Sequence, residues 1–220
     1  MPTALGPDRH PRPAGAESKL SQEERTVAIP PAVAAFDDWL QRYATASPEA
    51  RPALEAEGQR LMTGRREAIA GLIASDPESA ILLTPTPAQR AILPPKLRDG
   101  LEQIVSGEGF YGVKAICNHG PEAEHGPGCR IEHEVFIDQK SYQAKIYGTR
   151  TARLTEESAS IYGVALDGVL ALHQDDIVVL PADAVVAGAP SDQLALIYRG
   201  KPTVVPANEL EARVRALSQP

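Results

Sequence analysis

The feature that most restricts the fold is a change of period at Gly107. Before it, apolar residues recur at three- and four-residue spacing; after it the spacing drops to two, and aromatic and β-branched residues take over. The expected fold class is therefore α+β. It should comprise an N-terminal helical hairpin with short helices, then a small antiparallel β-sheet or barrel, and a C-terminal helix. The expected organisation is a disordered arm over 1–25, a helical segment over 26–106, and a β-rich domain with a C-terminal helix over 107–220.

In the helical half, Val33, Phe36, Leu40 and Tyr43 share one helix face after Pro30-Pro31. Trp39 on this helix is expected to pack in the core. Ser47-Pro48 reads as cap and first residue of a longer helix with the stripe Leu54, Leu61, Ile69, Leu72 and Ile73. Arg60, Arg65, Arg66 and Glu67 are expected to face water, and Gly58 and Gly64 to kink or fray this helix. Asp76-Pro77 and Thr86-Pro87 repeat the cap-then-proline device and predict two short helices. Leu93-Pro94-Pro95 opens another, expected to carry Leu97, Leu101, Ile104 and Val105 as far as Ser106-Gly107.

In the second half, 110–116, 131–137, 142–147, 162–166, 177–180, 194–198 and 203–205 read as strands between turn signals. Asp138-Gln139-Lys140-Ser141 and Arg199-Gly200-Lys201-Pro202 fit hairpin turns; Asp167-Gly168 fits a tight turn if 169–172 pairs back on 164–166, and 168–172 fits the start of a buried helical turn equally well. Asn208 with Glu211 fits a capping box for a final helix bearing Leu210, Val214 and Leu217. The arm over 1–25 has no apolar periodicity and lacks the surface to offset the entropy of ordering it.

Charge narrows the partners. A formal net charge of −7, with no basic run longer than Arg65-Arg66, argues against nucleic acid, because phosphate neutralisation needs clustered Lys and Arg. No window has the apolar length of a membrane span, and the Pro-rich start MPTALGPDRHPRPAG lacks the apolar centre of a signal peptide.

The stretch CNHGPEAEHGPGC holds both cysteines and two of the five histidines. Cys117, His119, His125, Cys129 and His133 form a thiolate and imidazole set of the kind zinc prefers. The spacing specifies zinc weakly, since eleven residues separate the cysteines and structural sites commonly use close pairs. In the alternative reading, Cys117 closes one strand and Cys129 opens the next, so a disulfide staples the neck of a hairpin loop. Two free thiols are the third arrangement. A disulfide implies maturation in an oxidising compartment, secreted or in the cell envelope.

Other polar residues read as structural. Asp175-Asp176 beside His173 form an Asp-rich turn that should be solvated. Glu132, His133 and Glu134 alternate with apolar residues, so at least some of them belong to an exposed strand face. Ser158 and Ser160 lack a nucleophile elbow, and Gly107-Glu108-Gly109 with Gly163 do not make a phosphate loop.

The segments Arg65-Arg66-Glu67-Ala68 to Asp76-Pro77-Glu78, Leu93-Pro94-Pro95-Lys96-Leu97, Val105-Ser106-Gly107-Glu108-Gly109, Ile146-Tyr147-Gly148-Thr149-Arg150 and 161–168 (IYGVALDG) carry a resemblance. Together they resemble an N-terminal, propeptide-like region that precedes other modules in large secreted bacterial proteins. The resemblance implies a secreted, non-catalytic accessory module with no catalytic residues to carry over. The function expected is a protein-binding or accessory module whose partner is another protein or domain. The alternatives are a zinc-dependent hydrolase or zinc-binding protein using the Cys/His loop, and a protease pro-segment.

Overall fold

The computed structural model describes residues 28–116, 130–186, 188–190 and 192–218. The arm expected over 1–25 lies outside them.

Helix α1 (Pro31–Thr45) and helix α2 (Arg51–Ser75) form the helical hairpin. Helix α2 begins later than Ser47-Pro48 suggests: the Ser47 carbonyl accepts from the amides of Ala50 and Arg51, so residues 48–50 form a turn before the helix. Phe36, Trp39 and Tyr43 stack along α1, with ring centroids 5.0 and 5.2 Å apart, and the Trp39 indole donates to the Leu54 carbonyl at 2.8 Å. Gly58 lies within α2 without interrupting it. It is buried beneath Trp39, and a β-carbon there would lie 2.3 Å from the indole.

Three short helices follow: α3 (Pro77–Leu82), α4 (Pro87–Ala91) and α5 (Pro95–Gly100). The first two start as expected. The Asp76 carboxylate accepts from the Ser79 amide, and Thr86 with Gln89 forms a reciprocal capping box. The last one stops sooner than its apolar spacing predicts. Strand β1 (Gln103–Ile116) takes up Ile104 and Val105, so the boundary expected between 106 and 107 falls inside a strand. The override is tertiary: Ile104 and Val105 pair with Val164 and Gly163 across the sheet.

The expectation that Arg65 faces water is also wrong. Arg65 is fully buried, and its guanidinium donates to the Glu102 carboxylate at 2.7 Å and the Leu83 carbonyl at 2.9 Å. It reaches Asp37 of α1 at 3.4 Å and lies over the Phe36 ring. Glu102 immediately precedes β1 and is itself buried, so one ion pair ties α2 to the start of the sheet. Burial pushes the Asp37 carboxyl up, against the opposing pull of Arg65. Arg66 is half-exposed; it binds Asp167 and the Gly100 carbonyl.

The remaining barrel strands are β2 (Arg130–Ile137), β3 (Lys140–Lys145), β4 (Glu156–Leu166) and β5 (Val169–Leu172). They close in the order β1-β2-β3-β5-β4, with β4 returning to β1. Every pair is antiparallel except β3 with β5, which the sequence reading did not anticipate. This is the arrangement of an OB-type barrel. Its core holds Tyr111, Val135, Ile137, Ile161, Leu170 and Leu172, and a separate cluster of Val33, Ile69, Ile73, Ala80, Leu166 and Ala171 joins the helices to it.

A second sheet, β6 (Ile177–Pro181), β7 (Gln193–Tyr198) and β8 (Lys201–Pro206), is antiparallel in that order, with the one-turn helix α6 (Ala182–Val185) after β6. The pairs Asp138-Gln139, Asp167-Gly168 and Arg199-Gly200 all have positive φ, the geometry tight hairpins require. At the last, Gly200 lies against Gly107 of β1 so closely that a β-carbon would sit 2.6 Å from its Cα. The final helix α7 (Leu210–Leu217) forms without the expected Asn208–Glu211 box: residues 207–209 wind as a 3₁₀ turn, and no side chain caps the helix.

Gly58 offers a test with a definite sign. In an ordinary helix interior Gly→Ala stabilises by about 1 kcal/mol. Against Trp39, Gly58→Ala is expected to destabilise by about 1–3 kcal/mol as the indole is displaced. Thermal melts of the two proteins decide it, and a raised midpoint would refute the packing.

Candidate functional site

Strands β1 and β2 are joined through residues 117–129, which lie outside the described residues; Cys117, His119, His125 and Cys129 fall there. What is described is the ladder leading up to them. It runs in unbroken register from Phe110↔Phe136 to Ile116↔Arg130.

His133 is the described member of the Cys/His set. Alternation along β2 turns Val135 and Ile137 into the barrel core, and His133 shares their side, half-buried nearer the end of the ladder that leads to 117–129. Its Nδ1 lies 2.9 Å from the Tyr111 hydroxyl, and the two rings stack nearly parallel. Burial holds the imidazole below its ordinary range, favouring the neutral ring. Burial likewise raises the Tyr111 phenol, against the opposing charges of Arg150 and Arg153.

Beneath Tyr111 lies Arg150, delivered by the 3₁₀ turn Gly148–Ala152 and fully buried. It donates to the His173 carbonyl at 3.2 Å, the Ser160 carbonyl at 3.1 Å and the Asp176 carboxylate at 3.0 Å. Arg153 takes the other Asp176 oxygen at 2.6 Å. The Asp-rich turn is therefore not merely solvated, since Asp176 is the counter-ion of a buried guanidinium. Ser160 is structural as well: its hydroxyl donates to the Asp176 carbonyl and accepts the Arg199 amide, linking the second sheet to β4. His173 sits edge-on to Tyr147 and Tyr162, and burial lowers it too. Burial pushes the Tyr147 phenol up to about 12.

The outer face of β1, β2 and β3 carries a different chemistry. Phe110 opposes Phe136, which is 51% exposed, and Ser141 completes the row on β3. The next rows hold Glu134 with Gln143, then Lys114 with Glu132. Lys114 bonds Glu134 diagonally at 2.5 Å, and Arg130 pairs with Glu132. Glu132 and Glu134 are half-buried among these partners. A groove of about 330 Å³ follows this face. A second cleft, of about 430 Å³, lies between the α2–α3 junction and β2–β3, lined by Ser75, Pro77, His133, Gln143, Lys145 and Ile146 among others. His133 borders both.

Among the described residues, no group of three or more His, Cys, Asp or Glu is placed to hold a metal ion. No helix among the described residues is long and apolar enough to cross a membrane. Trp39 is core, as expected, and Ser158 is exposed. Tyr111 and Arg150 were not singled out by sequence reasoning. A tyrosine in an alternating strand and an arginine in a Gly-Thr-Arg-Thr turn carry no distinctive signal. No family model, curated protein or solved structure matches the chain.

The buried imidazoles give a pH dependence. His133 and His173 both have folded pKa values below the ordinary 6.5, so the unfolded chain binds more protons between the two values. Their contribution to stability is complete above about pH 6.5 and is lost as the pH falls through the folded values. Denaturant titrations across this window should show stability falling with acid, with a shallower slope in His173→Asn. An unchanged slope would contradict the assignment.

Proposed function

We propose that this chain is a non-catalytic accessory module of a secreted protein, that it binds another protein or domain, and that Cys117 and Cys129 join as a disulfide at the neck of the β1–β2 loop. The observation that carries the reading is the register. In the last described pair, Ile116↔Arg130, one residue immediately precedes Cys117 and the other follows Cys129, so a ladder continued by one step would oppose the two cysteines. Opposed antiparallel residues have Cα atoms about 4.5–5.5 Å apart, within the range a disulfide spans.

Two further features support binding over catalysis. The first is the outer face of β1, β2 and β3. Here that face carries a half-exposed aromatic row beside paired charges, a mixture suited to a protein surface. The buried ionic groups, by contrast, hold the structure together: Arg65 and Glu102 bind each other, and Arg150 and Asp176 do the same.

Zinc binding is the second reading, favoured by the Tyr111 hydroxyl on His133 Nδ1. A partner on one ring nitrogen fixes the imidazole while the other nitrogen ligates metal. One experiment separates the two. Under the disulfide reading, intact mass before and after reductant differs by two hydrogens, and the purified protein contains no stoichiometric zinc. Cys117→Ser and Cys129→Ser should each then lower stability by up to about 3 kcal/mol, with no added loss in the double variant. One equivalent of zinc with both thiols free would overturn the stapled module.

A further inference from the structure

The second sheet has two edges, and they differ. Strand β8 is blunted by Lys201 and by prolines at its second and last positions, the usual devices against unwanted pairing. Strand β6, IVVLP, has no charged residue, and its one proline is its closing residue. Among the described residues it pairs with β7 alone, and β7 and the α6 turn that follows are its principal neighbours. Among the described residues, no backbone hydrogen bond reaches 177–181 from outside its sheet. Val178 is buried, Val179 is 40% exposed and Pro181 is exposed, so the strand is anchored inward and open outward.

Charge brackets this edge. Asp175 precedes β6 by two residues and Asp183 follows it by two. Neither forms an ion pair among the described residues. The Asp175 carboxylate accepts from the Thr149 hydroxyl at 3.3 Å, its main chain meets His173 Nδ1, and Asp183 is exposed. Arg150 and Arg153 are both bound to the neighbouring Asp176. A second copy pairing antiparallel through β6 would set Asp175 near the partner's Asp183, opposing like charges. An extended strand with basic residues at both ends meets no such conflict and fits in either direction.

We propose that the free edge of β6 is a docking site for an extended apolar segment of another protein flanked by Lys or Arg, which adds a fourth strand to the β6-β7-β8 sheet. Main-chain hydrogen bonds would supply affinity, and the two aspartates would select the flanks. This surface is separate from the β1–β2–β3 face and does not depend on the state of the cysteines.

The probe is a short synthetic peptide of alternating valine and threonine with lysine at each end, titrated into the full chain and followed by amide hydrogen exchange. The expected result is slowed exchange within 177–181 on binding. Binding should be lost when alternate peptide amides are N-methylated, when the end lysines are replaced by glutamate, and in Val179→Lys. The exposure of Val179 leaves that variant folded, which its melting curve checks. Peptide binding without protection of 177–181, or equal binding of the glutamate-ended peptide, would overturn the proposal. Protection of 177–181 that grows with protein concentration in the absence of peptide would also overturn it, in favour of a homodimer.

Discussion

The structure depends first on a buried charge pair. Arg65 enters the apolar interior from the middle of α2 and finds Glu102 at the threshold of β1, with the Leu83 carbonyl and the Phe36 ring completing its surroundings. Taking two ions out of water costs several kcal/mol each, and only their close contact and additional hydrogen bonds offset it. The pair is therefore intolerant of displacement. It ties the middle of α2 to the residue immediately before β1. Arg90, also approaching Glu102, has its guanidinium lowered by the same dry surroundings.

The device recurs beneath the opposite part of the fold. Arg150 is buried under Tyr111, with Asp176 as its counter-ion and carbonyls from β4 and from the segment before β6 around it. It joins the 3₁₀ turn, the barrel and the approach to the second sheet, and through Tyr111 it supports His133. The functional consequence is a scaffold in which each part is held to the barrel by charge and hydrogen bonds as well as by apolar packing. The surfaces proposed for partners are the β1–β2–β3 face and the β6 edge.

Much of this fold was legible locally. Proline after a capping residue announced α3 and α4, alternation located the strands, and the turn pairs at 138, 167 and 199 marked the hairpins, because each signal is generated by the nearest few residues. What was not legible depends on distant partners. Ile104 and Val105 have helical spacing and become strand because β4 is there to pair with them. Arg65 resembles its neighbours Arg60 and Arg66 in sequence, and only the position of Glu102 distinguishes it. Asn208 and Glu211 have the spacing of a cap, but the chain enters α7 through a 3₁₀ turn. At the candidate site, His133 was visible as a residue type, whereas its bond to Tyr111 required the register. The parallel pairing of β3 with β5 is a property of barrel closure that no local pattern encodes.

The measurement that bears most directly on this account is a double-mutant cycle on Arg65→Met and Glu102→Leu, read by denaturant unfolding. If the buried pair holds α2 to the start of β1, each single variant strands a charge and loses about 3–5 kcal/mol, while the double variant recovers much of that loss. Single losses that are small, or that simply add in the double variant, would contradict it.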